Sequence, residues 1–464
     1  MNKNHLHFDL HLFGAGENVN TTEGIADTTA GTVTAYDESQ GLSDEMRIYY
    51  SDYLIDNAEP NLIHDQFAQK HPIPKHGGKT IQFRKYDPLP KLTTALSEGV
   101  TPTGQSLNMG IVEATVHQYG GYVEFSDLLL LSAIDNNLVM ATKLLGSQAG
   151  RTLDTITREV LCGGTNVQYG ADAVDARYLL TGGKATGNHY MSVDCIKRAV
   201  RFLKSQNAEK INGAYACIIH PDCVYDLTND PNWKYPHQYA DTKELYEGEI
   251  GMIEGVRFVE STEAKIIHAP DLIPGIRSLE CLYDSFRVMP YEGYVDGGVG
   301  SKNRLCIGTP ETGYRASQDM VGRTILFYDA SAGTWQPIKI TGYKNNDQEL
   351  NENYLYLDRA IENAEDPMSS NVLQEEDRIY PGEAGLEGRD VYVTLVLGDN
   401  AYGTTELSGG GLQHIVKQLG SAGTADPLNQ RATVGWKATK AAARLVEAFM
   451  VRIETASTFE AGQN

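Results

Sequence analysis

Two strand-like runs separated by a long gap constrain this chain more than any other feature. The first, "TIQFRKY" (Thr80–Tyr86), alternates apolar and polar residues like a half-buried strand. The second lies in "GIVEATVHQYGGYVEF" (110–125) and puts Val112, Ala114 and Val116 on one face. Paired, they make a hairpin whose connection, 87–108, is far longer than an ordinary hairpin loop and carries Pro88, Pro90 and Pro102. Loops of that length are functional or disordered. A lone two-stranded ribbon is marginal in water. Its apolar face therefore needs a support, in its own domain or on a neighbouring copy.

The hairpin is preceded by "HGGKT", the tail of a phosphate-binding loop. A nucleotide site there fails on three counts. The pattern needs a glycine five residues before Gly78, and that position is Ile73. Pro72 and Pro74 flank it, and proline has no N–H to offer a phosphate. A strand, not a helix, follows Thr80. The stretch reads as a turn that launches the hairpin.

Composition narrows the classes further. The chain has 464 residues, enough for two or three domains and a large core. Its 39 basic and 61 acidic residues give a net charge of −22. That argues against gripping nucleic-acid phosphates or an anionic membrane. No apolar run approaches a membrane span, and the start of the sequence has no long apolar core of a secretion signal. The six cysteines form no Cys-x-x-Cys pair and read as small buried residues in a reducing compartment. "CIIHPDC" brings Cys217, His220 and Cys223 together, with His237 as the one nearby fourth ligand. Strand and helix geometry explain it better: Cys217 and Ile219 share a strand face, and Pro221 starts a short helix. No catalytic residue, cofactor site or metal site is expected.

Along the chain, 1–42 reads as a loose arm rich in Gly, Thr, Asn and Asp. A helix is expected from Ser43 or Asp44, with Met46, Tyr49, Tyr50, Tyr53 and Leu54 on one face, and "NLIHDQFAQ" as a second short helix. His64, His71 and His76 read as surface or packing histidines. Ser126 is a plausible N-cap for one long helix ending before Gly163-Gly164, with Leu138, Ala141, Leu145, Ala149, Ile156 and Val160 in stripe. A second amphipathic helix starts at Ser192; the strand "AYACIIH", a short helix and "GMIEGVRFVES" follow. "DVYVTLVLG" and "LVEAFMVRIET" close the chain as strands, the latter in a sheet interior.

The runs "KTIQFRKYDPLPKLTTALSEGVTPTGQSLNMGIVEATVHQYGGYVEFSDLL", "GRTLDTITREVLCGGTNVQY", "IEGVRFVESTEAK", "VYVTLVLGDNAYGTTEL" and "GSAGTADPLNQRATVGWKA" resemble the major capsid proteins of tailed bacteriophages with the Hong Kong 97-type fold. The resemblance covers 40–268 and 389–455, about two thirds of the chain. It implies an α+β fold: an N-terminal arm (1–42), N-terminal helices (43–76), an extended-loop hairpin (77–125), a spine helix and peripheral domain (126–190), an axial domain (191–268), and return strands ending in a C-terminal peripheral-domain strand (389–464).

In that family the "FVESTEAK" strand leads almost at once into "VYVTLVLG". Here 269–388 intervene, with 10 basic and 20 acidic residues, a net of −10. "RTILFYD" and "WQPIKITGY" joined by Ala-Ser-Ala-Gly signal a hairpin, so the segment reads as an inserted, outward-facing, β-rich domain.

The resemblance implies a non-enzymatic shell protein. It would form hexamers and pentamers around double-stranded DNA without sequence-specific binding, alongside portal and scaffolding or decoration proteins. It would be assembled in the host cytoplasm and reside in the virion. A cargo-enclosing nanocompartment shell of the same fold is the alternative. The assembly contacts it implies are Leu89, Lys91, Leu92, Leu96, Glu98, Val100 and Pro102 in the loop, and Asp426, Asn429, Arg431 and Trp436 in the peripheral domain. No lysine–asparagine link between Lys91 and Asn429 of neighbouring subunits is expected, because no buried carboxylate can be assigned to serve it.

Overall fold

The computed structural model describes residues 19–21, 24–26, 63–72, 79–86, 104–107, 109–132, 137–170, 174–181, 189–233, 252–273, 304–308, 315–329, 333–345, 353–359, 378–405, 412–417 and 428–459, with single positions within 89–98 and 276–280 and at 419. The helix expected from Ser43, and most of the arm and of loop 87–108, lie outside these. The mixture of strands and helices is α+β, as expected. Two units emerge, 1–160 with 402–445 and 161–401 with 446–464.

In the first unit, strands Gly24–Ala26, Val19–Thr21, His117–Ser126, Arg431–Lys440 and Leu412–Lys417 lie side by side in that order. His117–Ser126 and Arg431–Lys440 run antiparallel along their whole length, His117 opposite Lys440 and Ser126 opposite Arg431. Strand alternation turns Val434, Trp436 and Ala438 to one face. Helix Asn137–Cys162 meets that face with Ala141, Leu145, Ala149 and Leu153, a ridge at four-residue spacing, and Phe125 and Leu129 complete the core. Ser126 caps helix Asp127–Ser132: its hydroxyl accepts the Leu129 N–H at 3.2 Å.

Two expectations change here. The run 110–125 is not one strand. Met109–Thr115 pairs with Thr80–Tyr86, Thr80 opposite Thr115 and Tyr86 opposite Met109. After Val116, whose N–H donates to the Lys79 carbonyl, the chain joins the other sheet. Both stretches keep a period of two, so alternation hides the change of partner. "NLIHDQFAQ" is not a helix where it is described: 64–67 is a turn, and Gln69–His71 is a strand parallel to Tyr402–Thr405. His64 and Asp65 are claimed by buried side chains, and that tertiary bonding overrides local helix preference.

The hairpin finds its support within its own unit. Ile81, Phe83 and Ala114 pack with Ala441 and Ala443. Gly403 makes this possible, because a Cβ there would run into the Phe83 ring.

In the second unit, strand Val391–Leu397 is buried at every residue. It is antiparallel to Met450–Thr455 on one side and Tyr215–Ile219 on the other. Val256–Glu260 runs parallel to Tyr215–Ile219, and Val167–Tyr169 parallel to Met450–Thr455. Helices Val193–Ser205 and Pro221–Asn229 pack onto the sheet through Ile196, Val200, Leu203 and Leu227. Met450–Thr455 is interior, as its alternation suggested. Its sheet is the one that holds Tyr215–Ile219, however, and not the sheet on the long helix, because Val451 and Ile453 are buried in the core with Ile196 and Ile219. "CIIHPDC" serves this core: Cys217 and Ile219 share the buried strand face, and His220 Nδ1 caps the helix by accepting the Asp222 N–H at 3.2 Å. Burial pushes both the Cys217 and Cys223 thiols up.

The described strands within 269–388 form an antiparallel sheet, in the order Leu279–Glu280, Arg378–Pro381, Thr324–Asp329, Thr334–Lys344, Asn353–Leu357, Arg304–Gly308. Leu305, Ile307, Ile325, Phe327, Ile338 and Ile340 give it a core of its own. The hairpin signal is realised at Gly333, with φ +64°. The chain leaves the buried sheet at Ile267 and returns at Val391, which are direct strand partners. His268 and Asp390 bond across this base, Nδ1 to Oδ1, at 2.6 Å. Arg323 donates to the Pro270 and Asp271 carbonyls at 2.6 and 2.7 Å and to Glu383 at 3.1 Å, so one guanidinium holds both connecting chains.

Gly403→Ala is expected to lower stability by about 1–3 kcal/mol through overpacking. Phe83→Ala alone should cost about 3–5 kcal/mol. Thermal unfolding of both single variants and the double is expected to give a double-variant cost below the sum, since the truncated ring frees the space that the new methyl needs.

Candidate assembly surface

Surface chemistry concentrates at the free end of the hairpin. Leu92 is 80% exposed and Leu107 is 71% exposed, and Leu89, Met109 and Ile111 are also exposed. Isolated apolar residues on a surface are ordinary, but five on one loop and its adjoining strand make a candidate docking patch. Of the loop residues expected from sequence, Leu89, Lys91, Leu92 and Glu98 are exposed, whereas Leu96, Val100 and Pro102 lie outside the described residues. Leu107, Met109 and Ile111 were missed. Their signal is the strand alternation itself: with Val112 and Ala114 turned inward, Met109 and Ile111 must face out.

The second group of expected contacts separates. Asp426 is outside the described residues. Asn429 is exposed with φ +54°, at the turn into Arg431–Lys440. Arg431 lies on the open face of the five-stranded sheet, 3.9 Å from Glu124. Trp436 points the other way, buried on the long helix, where its Nε1–H donates to Gln148 Oε1 at 3.1 Å. Even positions of the strand face the helix, so Trp436 is a core residue.

The open face is a shallow concavity of about 610 Å³ bordered by Tyr122, Glu124, Ile415, Lys417, Arg431 and Lys437. Glycines keep its floor open. A Cβ at Gly435 would lie 2.9 Å from Tyr122 Cβ, and one at Gly120 would lie 2.7 Å from the Trp436 carbonyl oxygen.

Near the hairpin base, a buried polar cluster joins three parts of the first unit. Lys440 continues the inward alternation of Trp436 and Ala438, so strand geometry carries its amine into the interior. There Nζ meets Asp65 Oδ2. The Thr157 hydroxyl donates to Asp65 Oδ1 at 2.6 Å. His64 donates twice to Asp154, through its backbone N–H at 2.8 Å and through Nδ1 at 2.6 Å. The Tyr402 hydroxyl donates to the His64 carbonyl. Burial pushes the Lys440 ammonium down, against the pull of Asp65. Burial, with Asp65 and Asp154 nearby, holds the Tyr402 phenol well above the usual tyrosine range. The sequence reading named only His64 here, as a packing histidine.

Among the described residues no group of three or more potential ligands is placed to hold a metal, and no helix is long and apolar enough to cross a membrane. Lys79 is exposed, one residue before the hairpin strand.

Tyr402→Phe leaves the His64 carbonyl unpaired in the interior and should cost about 1–3 kcal/mol at neutral pH. The folded phenol stays protonated, while the unfolded one ionises near about pH 10. Tyr402 therefore contributes stability below that pH and loses it as pH rises past it. Chemical denaturation of wild type and variant across that range is expected to show the gap narrowing on the alkaline side.

Residues 132–274 match the family described as phage capsid protein. No curated protein matches the sequence. Solved structures similar to the chain include the capsid of the cyanophage P-SCSP1u (11% identity, 90% of this chain and 95% of that chain, TM-score 0.49). The cyanophage Pam1 capsid is another (13%, 90% and 98%, 0.45), as is the capsid of Ralstonia phage GP4 (12%, 86% and 87%, 0.44). The family match spans the long helix, helix Val193–Ser205 and strands Tyr215–Ile219 and Val256–Glu260.

Proposed function

We propose that this chain is the major subunit of a Hong Kong 97-type shell, assembling into hexamers and pentamers that enclose double-stranded DNA. The observation that carries the reading is the hairpin. Its base is locked into its own unit by Phe83 and Ile81, while its free end carries exposed Leu89, Leu92, Leu107, Met109 and Ile111. An arm that is stiff at the root and apolar at the tip suits insertion onto a second copy. A contact between unlike patches, repeated about a rotation axis, closes into rings. The net charge of −22 fits a container that holds DNA without gripping it. Portal, scaffolding and decoration proteins are the expected partners, assembly takes place in the host cytoplasm, and the product resides in the virion. On this reading the first unit is peripheral and the sheet around Val391–Leu397 axial.

The 269–388 segment, rooted on adjacent strand partners and carrying its own core, is the outward module, and its role is to stabilise contacts between neighbouring capsomers.

Leu89→Glu with Leu92→Glu is expected to leave the subunit folded, by circular dichroism, and to abolish closed particles in electron micrographs. A variant that still closes shells contradicts the docking role of the loop. Separately, replacing 271–382 with a short Gly/Ser linker keeps Ala269 and Ala384 in their packing cluster. It should still give particles, and these should open at lower temperature in a heating series. A shortened chain that cannot fold would make the segment part of the core. Extracting the particle contents separates DNA from a protein cargo.

A further inference from the structure

The buried cluster holds a pairing that shell building does not require. Lys440 is 0% exposed, and among the described residues Asp65 Oδ2 is the acceptor its Nζ meets. An ammonium brings three N–H donors. Leaving donors unpaired in an interior is costly, which favours forms of this nitrogen with fewer hydrogens. Burial also pushes the ammonium towards the free amine, and a free amine is a nucleophile. The Asp65 carbonyl carbon lies next to it. The other carboxylate oxygen, Oδ1, already accepts the Thr157 hydroxyl at 2.6 Å, the position from which a donor stabilises charge developing on that oxygen. Asp154, a second buried carboxylate fixed by His64 at 2.6 Å, acts electrostatically on the same lysine. Asp65, Asp154, Thr157 and Lys440 are all buried. Exclusion of water favours condensation over hydrolysis.

We propose that Lys440 and Asp65 of one subunit condense into an amide. A proton first passes from Nζ to Oδ2. Nζ attacks Cγ, while Thr157 holds the charge on Oδ1 and Asp154 receives the second proton from nitrogen. That proton is then delivered to Oδ2, the Cγ–Oδ2 bond breaks, and Oδ2 leaves as water with two hydrogens, both from Nζ. The product nitrogen keeps one hydrogen. No oxidant, reductant or cofactor takes part. The link ties the residues before Gln69–His71 covalently to the end of Arg431–Lys440, beside the hairpin base. It lies within one chain and adds no bond between neighbours.

The test is the intact mass of the purified full chain under denaturing conditions, followed by peptide mapping. The expected mass is one water below that of the sequence, with a branched peptide joining Asp65 to Lys440. A full sequence mass overturns the proposal, and so does a water loss that maps elsewhere. Lys440→Arg is expected to restore the full mass; a one-water deficit persisting in that variant also overturns it. The wild-type measurement stands even where the variant fails to fold.

Discussion

The first unit depends on one buried contact, Lys440 with Asp65, and on the side chains that complete it. Taking such a pair out of water costs several kcal/mol, offset only by close contact between the two groups. Here the repayment comes from the turn (His64, Asp65), the long helix (Asp154, Thr157) and the returning strands (Tyr402, Lys440), all distant in sequence. Apolar packing alone would tolerate a sliding helix or a slipped strand. Moving the strand by one residue would turn Lys440 outward and expose Trp436 and Val434 with it. The cluster therefore fixes register, and the register presents the hairpin in one orientation.

For the assembly proposed above, the structure divides the hairpin into a root and a tip. At the root, Phe83 fits over Gly403, a position with no room for a Cβ. At the tip, Leu89, Leu92, Leu107, Met109 and Ile111 are exposed. A flexible root would charge the conformational cost of ordering the arm to each docking event. The sheet within 269–388 follows the same logic: its two connecting chains leave from the cross-strand neighbours Ile267 and Val391, and Arg323 holds both of them.

Sequence alternation made much of this legible, and its limits are equally physical. Thr80–Tyr86, Tyr215–Ile219, Val391–Leu397 and the hairpin at Gly333 were all apparent from the period of two or from turn chemistry. The break at Val116 was not, because alternation reports a buried face and not the partner strand. Trp436 looked like a surface contact until its parity with Val434 and Ala438 was matched to the helix. The Lys440–Asp65 pairing was invisible for a different reason: each residue alone reads as solvated charge, and only the fold brings positions 65 and 440 together. The exposed Leu89 and Leu92 were expected from family resemblance. Met109 and Ile111 follow from simple parity once the inward face is known.

The most direct test of the account is hydrogen exchange by mass spectrometry on free subunits and on assembled particles. If the root is locked in the subunit and the tip docks on a neighbour, amides in 89–111 gain strong protection on assembly, while those of His117–Ser126 and Arg431–Lys440 are already protected and change little. Equal exchange of 89–111 in both states, or protection of the root that appears only on assembly, would contradict it.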